Sequence, residues 1–440
     1  MKNINVFKEF AKYASLNVMG MIGMSCYILA DTFFVSRGLG TNGLAALNLA
    51  IPVFNFINGV GLMLGMGGAT KYSISKGRSS ASVTNEIFTN TFCLGILFAA
   101  VFAAAGIFFS GALTKLMGAD ETVFEMTNTY LKVMLLFAPA FIINNIIICF
   151  VRNDGNPNLS MLGMITGSLA NIVLDYIFIF PMNMGIFGAI LATGMSPVIS
   201  LIILCVHFIK KRNGFRFSRC RLDPRMAGGT MSLGLSSLVS ELSSGVVIIV
   251  FNMIILGLAG NIGVAAYGVI ANISLIVTAV YTGLSQGIQP LVSNAYGRGE
   301  LVTAKLIFKY ALLAMAVISL IVYLTVFIFA AQITSIFNSE GNAVLSTLAC
   351  TGLRIYFTAV VFAGFNIITC VFFTSTERAV PAQIVSMLRG LFLIVPAAFL
   401  LSHFFGINGT WLSYPITELL TALTAAVLLK RFSPEKHPLH

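Results

Sequence analysis

Charge is what this sequence has least of: lysine, arginine, aspartate and glutamate together make up only 9% of it. The longest hydrophilic segment, KKRNGFRFSRCRLDPRMAGG at Lys210, runs to roughly twenty residues, which leaves no room for a soluble catalytic or binding domain. Histidines stand only at His207, His403, His437 and His440, with no HExxH-like spacing, and the seven cysteines form no CxxC pair. No metal centre, nucleophile constellation or cofactor site is therefore expected, and no catalytic residue can be named. Apart from Cys220 in a polar loop, the cysteines lie in or beside apolar stretches and read as small core residues, not as disulfides. GLGTNG at Gly38 has the letters of GxGxxG, but it joins two apolar stretches with no strand before it, which excludes a dinucleotide turn. The N-terminal stretch lacks a small-residue cleavage site and is long enough to be a first span, so no removable signal peptide is expected.

What fills the sequence is apolar: 58% of its 440 residues are hydrophobic and the mean hydropathy is +0.93. That is the composition of a membrane protein. A helical span needs about 20 apolar residues, and twelve candidates follow one another, at roughly 10–36, 48–72, 88–113, 131–151, 158–181, 185–209, 229–256, 264–293, 307–333, 349–373, 382–404 and 408–429. The expected fold is an all-α polytopic membrane protein. Its expected divisions are a first lobe over 1–209, a basic cytoplasmic linker over 210–228 and a second lobe over 229–440.

Orientation follows from the 26 lysines and arginines. With the N-terminus inside, all but Arg37, Lys115, Lys132, Arg354 and Arg389 fall on the cytoplasmic side, and the positive-inside bias then puts both termini in the cytoplasm. The net charge of +11 reflects that bias and not a nucleic-acid surface. The basic 210–225 loop is placed to touch anionic lipid head groups.

The chain repeats itself. Slid by 220 residues without gaps, Gly43, Ala45, Ala46, Gly67, Ser73, Gly77 and Arg78 meet Gly263, Ala265, Ala266, Gly287, Ser293, Gly297 and Arg298. A shift of 221 lays NIIIC at Asn145 on NIITC at Asn366, and GIFGA at Gly185 on GINGT at Gly406. Each half holds six spans, an even number, so the repeats are parallel, related by an axis along the membrane normal. Two such bundles suit an alternating-access carrier, although channels and scaffolds can also be built this way.

The intramembrane acids bear on that choice. Asp31, Asp175, Glu241 and Glu418 lie well inside spans, where each unpaired carboxylate facing lipid costs roughly 2.5–3.5 kcal/mol. At about 1.5 Å per residue, Asp31, Asp175 and Thr193 all come out roughly 10 Å from the outer surface. Asn171 is one turn deeper than Asp175 on the same helix face. Two close carboxylates can share a proton, and carboxylate, amide and hydroxyl oxygens can also replace the hydration shell of Na⁺. A third reading makes Asn171 and Asp175 helix-to-helix glue. Glu241 and Glu418 come out near the midplane of the second half, placed to bind a cationic substrate or to pair with each other or with Arg389.

The stretches ADTFFVSRGLGTNGLAALNLAIPVFNF with Asp31, GSLANIVLDYIFIF with Asn171 and Asp175, and GLSQGIQPLVSNAYGRGE with Gln286, Gly287, Gln289 and Pro290 resemble the multidrug and toxic compound extrusion (MATE) transporters. The likeness spans essentially the whole chain and is nearest to the bacterial branches that include the DinF-like and MepA-like exporters. It implies a twelve-helix exporter of two six-helix lobes, functional as a monomer in a prokaryotic inner membrane. Such an exporter expels cationic or amphipathic compounds in exchange for H⁺ or Na⁺, with no cofactor. It further implies a cation site in the first lobe at Asp31, Asn171, Asp175 and Thr193. Two features depart from the family. Span 10 holds no acid, against a second-lobe cation site of the NorM kind, and span 1 holds Gly20 and Gly23 but no proline. The alternative within carriers is a flippase of lipid-linked saccharides, whose pyrophosphate calls for a cationic cavity.

Overall fold

A computed structural model describes residues 2–219, 223–338 and 341–432. Cys220, Arg221, Lys436, His437 and His440 lie outside the described residues. Every regular element of the described chain is a helix, as apolar spans require, because hydrocarbon offers no partner to an unpaired backbone N–H or C=O.

In chain order the helices are α1 (Lys2–Lys76), α2 (Ala81–Phe108), α3 (Ser110–Leu116), α4 (Phe124–Leu136), α5 (Ala138–Asn153), α6 (Pro157–Ile179), α7 (Gly185–Leu204), α8 (Val206–Ile209), α9 (Pro224–Gly297), α10 (Leu301–Ile328), α11 (Ala330–Phe337), α12 (Ala343–Tyr356), α13 (Val360–Ser375), α14 (Ala379–Met387) and α15 (Ile394–Arg431). Their starts carry the expected signals. Pro157 opens α6 behind Asn156, whose side chain accepts from the Leu159 N–H, and Pro224 opens α9 behind Asp223, which accepts from the Arg225 N–H.

Among the described residues these helices make twelve crossings. α1 folds back at Gly40 (φ 67°) and α9 at Gly260 (φ 61°), giving two spans each. α4 continues into α5 through a 46° bend. α12 continues into α13, and α14 into α15, which folds back at Gly406 (φ 58°). With α2, α6, α7 and α10 the twelve expected spans are accounted for. Only glycine adopts these positive φ values without strain. Gly40 and Gly260 stand 220 residues apart, and Gly185 (φ 63°) stands 221 before Gly406, so the internal repeat is written in the backbone as well as in the letters.

Two compact units result. The first comprises Ser15–Leu242 with Ser293–Gly299; the second comprises the described residues of Met1–Ala14, Ser243–Val292 and Glu300–His440. In the first unit the start of α9 lies against the second arm of α1 so closely that a Cβ on Gly67 would sit 2.0 Å from the Thr230 carbonyl oxygen, and one on Gly234 1.8 Å from that of Met63. In the second unit the start of α1 meets α9 in the same way, a Cβ on Gly287 falling 2.8 Å from the Tyr13 carbonyl oxygen. Glycine is needed at Gly67 and Gly287 for close backbone approach, the usual device where lipid supplies no hydrophobic drive between helices.

The loop after α5 holds a polar hub. Asp154, 1% exposed, accepts from Tyr72 Oη (2.6 Å), Lys76 Nζ (2.6 Å), His207 Nε2 (2.9 Å) and the Gly214 N–H. Burial pushes this carboxyl up, but the donors from His207, Lys76, Tyr72 and Gly214 outweigh it and hold it below its ordinary value. The segment that follows α8 is strapped to α2: the Arg216 and Ser218 N–H groups donate to Asn85 Oδ1 and Thr89 Oγ1, and that of Asp223 to Asn90 Oδ1. Phe215 plugs in between, fully buried against Tyr72, Phe88 and Phe150. Lys210, Lys211, Arg212, Arg216 and Arg219 remain exposed. Arg152, which the charge pattern counts among the cytoplasmic basic residues, is instead fully buried and donates to Asn17 Oδ1 at 2.9 Å.

Candidate functional site

The site is assembled by a stripe on α6. Gly163, Gly167, Asn171 and Asp175 follow one another at intervals of four and so share one face. The two glycines let α7 come close: a Cβ on Gly163 would meet Leu204 and Ser200 at 3.2 Å, and one on Gly167 the Ser196 carbonyl oxygen at 3.1 Å. Ser196 Oγ closes the seam by donating to the Gly167 carbonyl at 2.8 Å. The stripe then turns polar, which carries Asn171 and Asp175 into the same helix–helix seam opposite Thr193. All three side chains are buried.

The first arm of α1 runs alongside α6 in the same direction. Gly20 lies on Met164, Gly23 on Ile165 and Phe34 on Tyr176 and Phe180. Interpolating that register sets Asp31 level with Asp175, and the two carboxyl groups come within hydrogen-bonding reach of each other. Asp31 is 8% exposed and Asp175 not at all.

The hydrogen bonds leave a defined gap. With its amide turned to satisfy both neighbours, Asn171 donates to Asp175 Oδ2 at 3.1 Å and accepts from the Thr193 N–H at 3.3 Å. The opposite orientation keeps only a 3.4 Å contact with Thr193 Oγ1 and sets amide oxygen against carboxylate oxygen, so the first is favoured. Oδ1 of Asp31 and Oδ1 of Asp175 are both buried and without a hydrogen-bond partner. A buried anionic oxygen left unpaired is costly. Among the described residues neither acid has a lysine or arginine partner in an ion pair.

Two tyrosines belong to this site that the sequence pattern did not single out. Tyr130 on α4, buried, hydrogen-bonds Thr193 from its hydroxyl. Tyr27, one turn before Asp31 on α1, is buried close to Asp31, Asp175 and Glu241. The i, i+4 spacing of Tyr27 and Asp31 was a signal; Tyr130 had none, standing at the edge of a span in ordinary surroundings.

The remaining two intramembrane acids lie one in each unit. Glu241 belongs to the first unit, where it hydrogen-bonds Asn58 of α1, and Asn58 in turn accepts from Asn145 at 2.7 Å. Glu418 belongs to the second unit, with Oε1 accepting from Arg389 Nε at 2.6 Å and Oε2 from Asn366 Nδ2 at 2.7 Å. Of the arrangements open to them, the structure shows Glu418 with Arg389. Depth along a span could not tell which helices Glu241 would face. In the motif at 286–290, Gln286, Gly287, Gln289 and Pro290 are all buried, and Gly287 serves the helix contact described above.

The profile of the MatE family matches the chain over residues 18–177 and again over 237–400, once in each half. The chain belongs to the MatE family. It is 26% identical over 427 residues to the multidrug export protein MepA of Staphylococcus saprophyticus, covering 97% of this chain and 94% of that one. It is 25% identical over 428 residues to the MepA of Staphylococcus aureus, covering 96% and 93%. A MATE crystallised in complex with MaL6 superposes with a TM-score of 0.90 at 25% identity, covering 96% of this chain and 95% of the other. A MOP superfamily transporter from Pyrococcus furiosus, described as having a binding pocket of reverse polarity, gives 0.90 at 25% identity over 98% and 96%. This MatE protein is thus a multi-pass membrane transporter with the twelve-helix, two-lobe plan of its structural neighbours.

Proposed function

We propose that this protein is a multidrug efflux antiporter that exports lipophilic cationic or amphipathic compounds in exchange for H⁺ or Na⁺. The observation that carries the reading is the buried Asp31–Asp175 pair with an orphaned oxygen on each acid. The names of the MepA relatives support the export half of it. Asp31 and Asp175 carry the coupling ion. Asn171 orients the Asp175 carboxyl, Thr193 fixes Asn171, and Tyr130 fixes Thr193. Loading removes net charge from the seam between α1 and α6; unloading restores it, so the two states favour different arrangements of these helices. An ion gradient can then drive compound in the other direction, since a ligand shifts a conformational equilibrium by its differential affinity for the two states.

Both termini in the cytoplasm, a prokaryotic inner membrane and function as a monomer complete the proposal. Flipping of a lipid-linked saccharide is not favoured, because Arg389, which lies within an apolar span, is already engaged by Glu418. The test is efflux of a cationic dye from liposomes under an imposed pH gradient and, separately, a Na⁺ gradient. The expected result is export driven by at least one gradient and reduced to the protein-free rate by Asp31→Asn. Normal gradient-driven export by a folded Asp31→Asn protein refutes the assignment.

A further inference from the structure

We propose that Arg389 is a built-in counter-cation that fills, in the second half, the role the coupling ion plays in the first, and so confines ion coupling to the Asp31–Asp175 site. The inference rests on the antiport reading above and adds a residue that sets how many ions the protein takes up.

The internal repeat sets the two halves side by side. A shift of 221 carries Asn171, Asp175 and Thr193 to Phe392, Pro396 and Tyr414, and a shift of 220 carries Asp31 to Phe251, so the second half has lost the cation site position by position. It has a polar centre one helical turn away. Arg389 stands where the repeat has Ser168, one turn before Asn171; Glu418 stands where it has Pro197, one turn after Thr193. Because α6 and α7 are joined end to end by a short turn, both displacements lead toward the same side of the membrane.

The two centres differ in charge and in satisfaction. Asp31 and Asp175 are two acids with an unpartnered buried oxygen each. Glu418 is one acid with both carboxyl oxygens engaged, by Arg389 at 2.6 Å and by Asn366 at 2.7 Å, while Asn366 also donates to the Glu418 backbone oxygen at 2.9 Å. Tyr414 hydrogen-bonds Arg389 from the turn before Glu418, and Tyr356 stacks on Tyr414 at 4.3 Å. Among the described residues, Arg389, Tyr414 and Tyr356 are the charged and titratable groups that face this carboxylate.

The backbone is adjusted to hold the arginine there. Between α14 and α15 the chain makes one π-helical turn, Leu388–Phe392, closed by the Leu393 N–H on the Leu388 carbonyl at 3.1 Å. Such a turn inserts a residue and rotates the helix beyond it, a device found often at functional positions. Inside it Gly390 lies so close to Ser243 that a Cβ would fall 2.0 Å from Ser243 Oγ, so the turn is seated by its neighbour.

If Arg389 is the counter-cation, its removal leaves a buried, hydrogen-bonded carboxylate that must recruit H⁺ or Na⁺ instead. The experiment counts ions bound by the purified full-length protein, by proton uptake on acidification and by ²²Na⁺ binding. The proteins compared are wild type, Arg389→Gln, Arg389→Gln/Glu418→Gln and Asp31→Asn. Arg389→Gln is expected to bind about one ion more per molecule than the wild type, and the double variant to return to the wild-type number. Absence of any gain in folded Arg389→Gln, or a gain that persists in the double variant, overturns the proposal. Should Arg389→Gln fail to fold, the neutral double variant still decides: gradient-driven export with unchanged ion count is expected, and lost coupling in it overturns the proposal. Failure of the antiport reading itself would show separately, as an ion count that Asp31→Asn does not lower.

Discussion

Asp31, Asn171, Asp175 and Thr193 were legible as a group because depth along a span can be counted from its end, and polar residues at equal depth have a common reason to be in hydrocarbon. The structure brings all four together. Tyr130 was not legible, since a tyrosine near a span end is ordinary in membrane proteins. Replacing it tests whether the hydroxyl matters: Tyr130→Phe deletes one hydrogen bond, worth about 1 kcal/mol. The concentration of coupling ion at half-maximal dye efflux should rise by about fivefold, with the maximal rate retained; an unchanged ion dependence would remove Tyr130 from the site. For Glu241 and Glu418 the depth argument left several partners open, for a plain reason. Depth fixes height in the membrane but not which neighbour a helix turns toward, and Glu241 turns to Asn58 while Glu418 turns to Arg389.

At the scale of the element, glycine does most of the positioning. The stripe Gly163, Gly167, Asn171, Asp175 shows how a packing motif runs on into a buried polar one on the same helix face. Gly67 makes the point measurable. Gly67→Ala drives a methyl into the Thr230 carbonyl and should destabilise by about 2 kcal/mol or more, whereas Gly228→Ala, with open space around its Cβ, should not. Melting temperatures in detergent separate the two; equal values would show that the α1–α9 seam can yield. The strap over 214–218, with a further tie at Asp223, was invisible in the sequence, where it looked like a free basic loop, because its ties are backbone N–H groups that no letter announces. Asp154 anchors it. A carboxyl held below its ordinary value adds stability that is full above the unfolded value, about 4, and is lost only as pH falls through the lower folded value. Amide exchange at Gly214, Arg216 and Ser218 should therefore stay slow from about pH 8 to pH 5 and become fast at neutral pH in Asp154→Ala. Protection that survives the substitution would mean that Phe215 and the α2 contacts hold the strap alone.

At the scale of the whole molecule, the duplication was readable to the residue, and paired glycines with positive φ at Gly40 and Gly260, and at Gly185 and Gly406, repeat it in the backbone. What the repeat could not disclose is how far its halves have diverged: two acids with an unpartnered oxygen each in one, an arginine-balanced acid in the other. That asymmetry makes the first half the driver in this account. Linkage is reciprocal, so if ion flow drives compound, compound must drive ion flow. The most direct measurement loads liposomes with a cationic dye against a dye-free medium, imposes no ion gradient, and follows internal pH and Na⁺ as the dye leaves. A counterflow of one of these ions is expected that stops when dye export stops and is absent with Asp175→Asn. Dye export by the wild type without ion counterflow, or counterflow undiminished in Asp175→Asn, would contradict it.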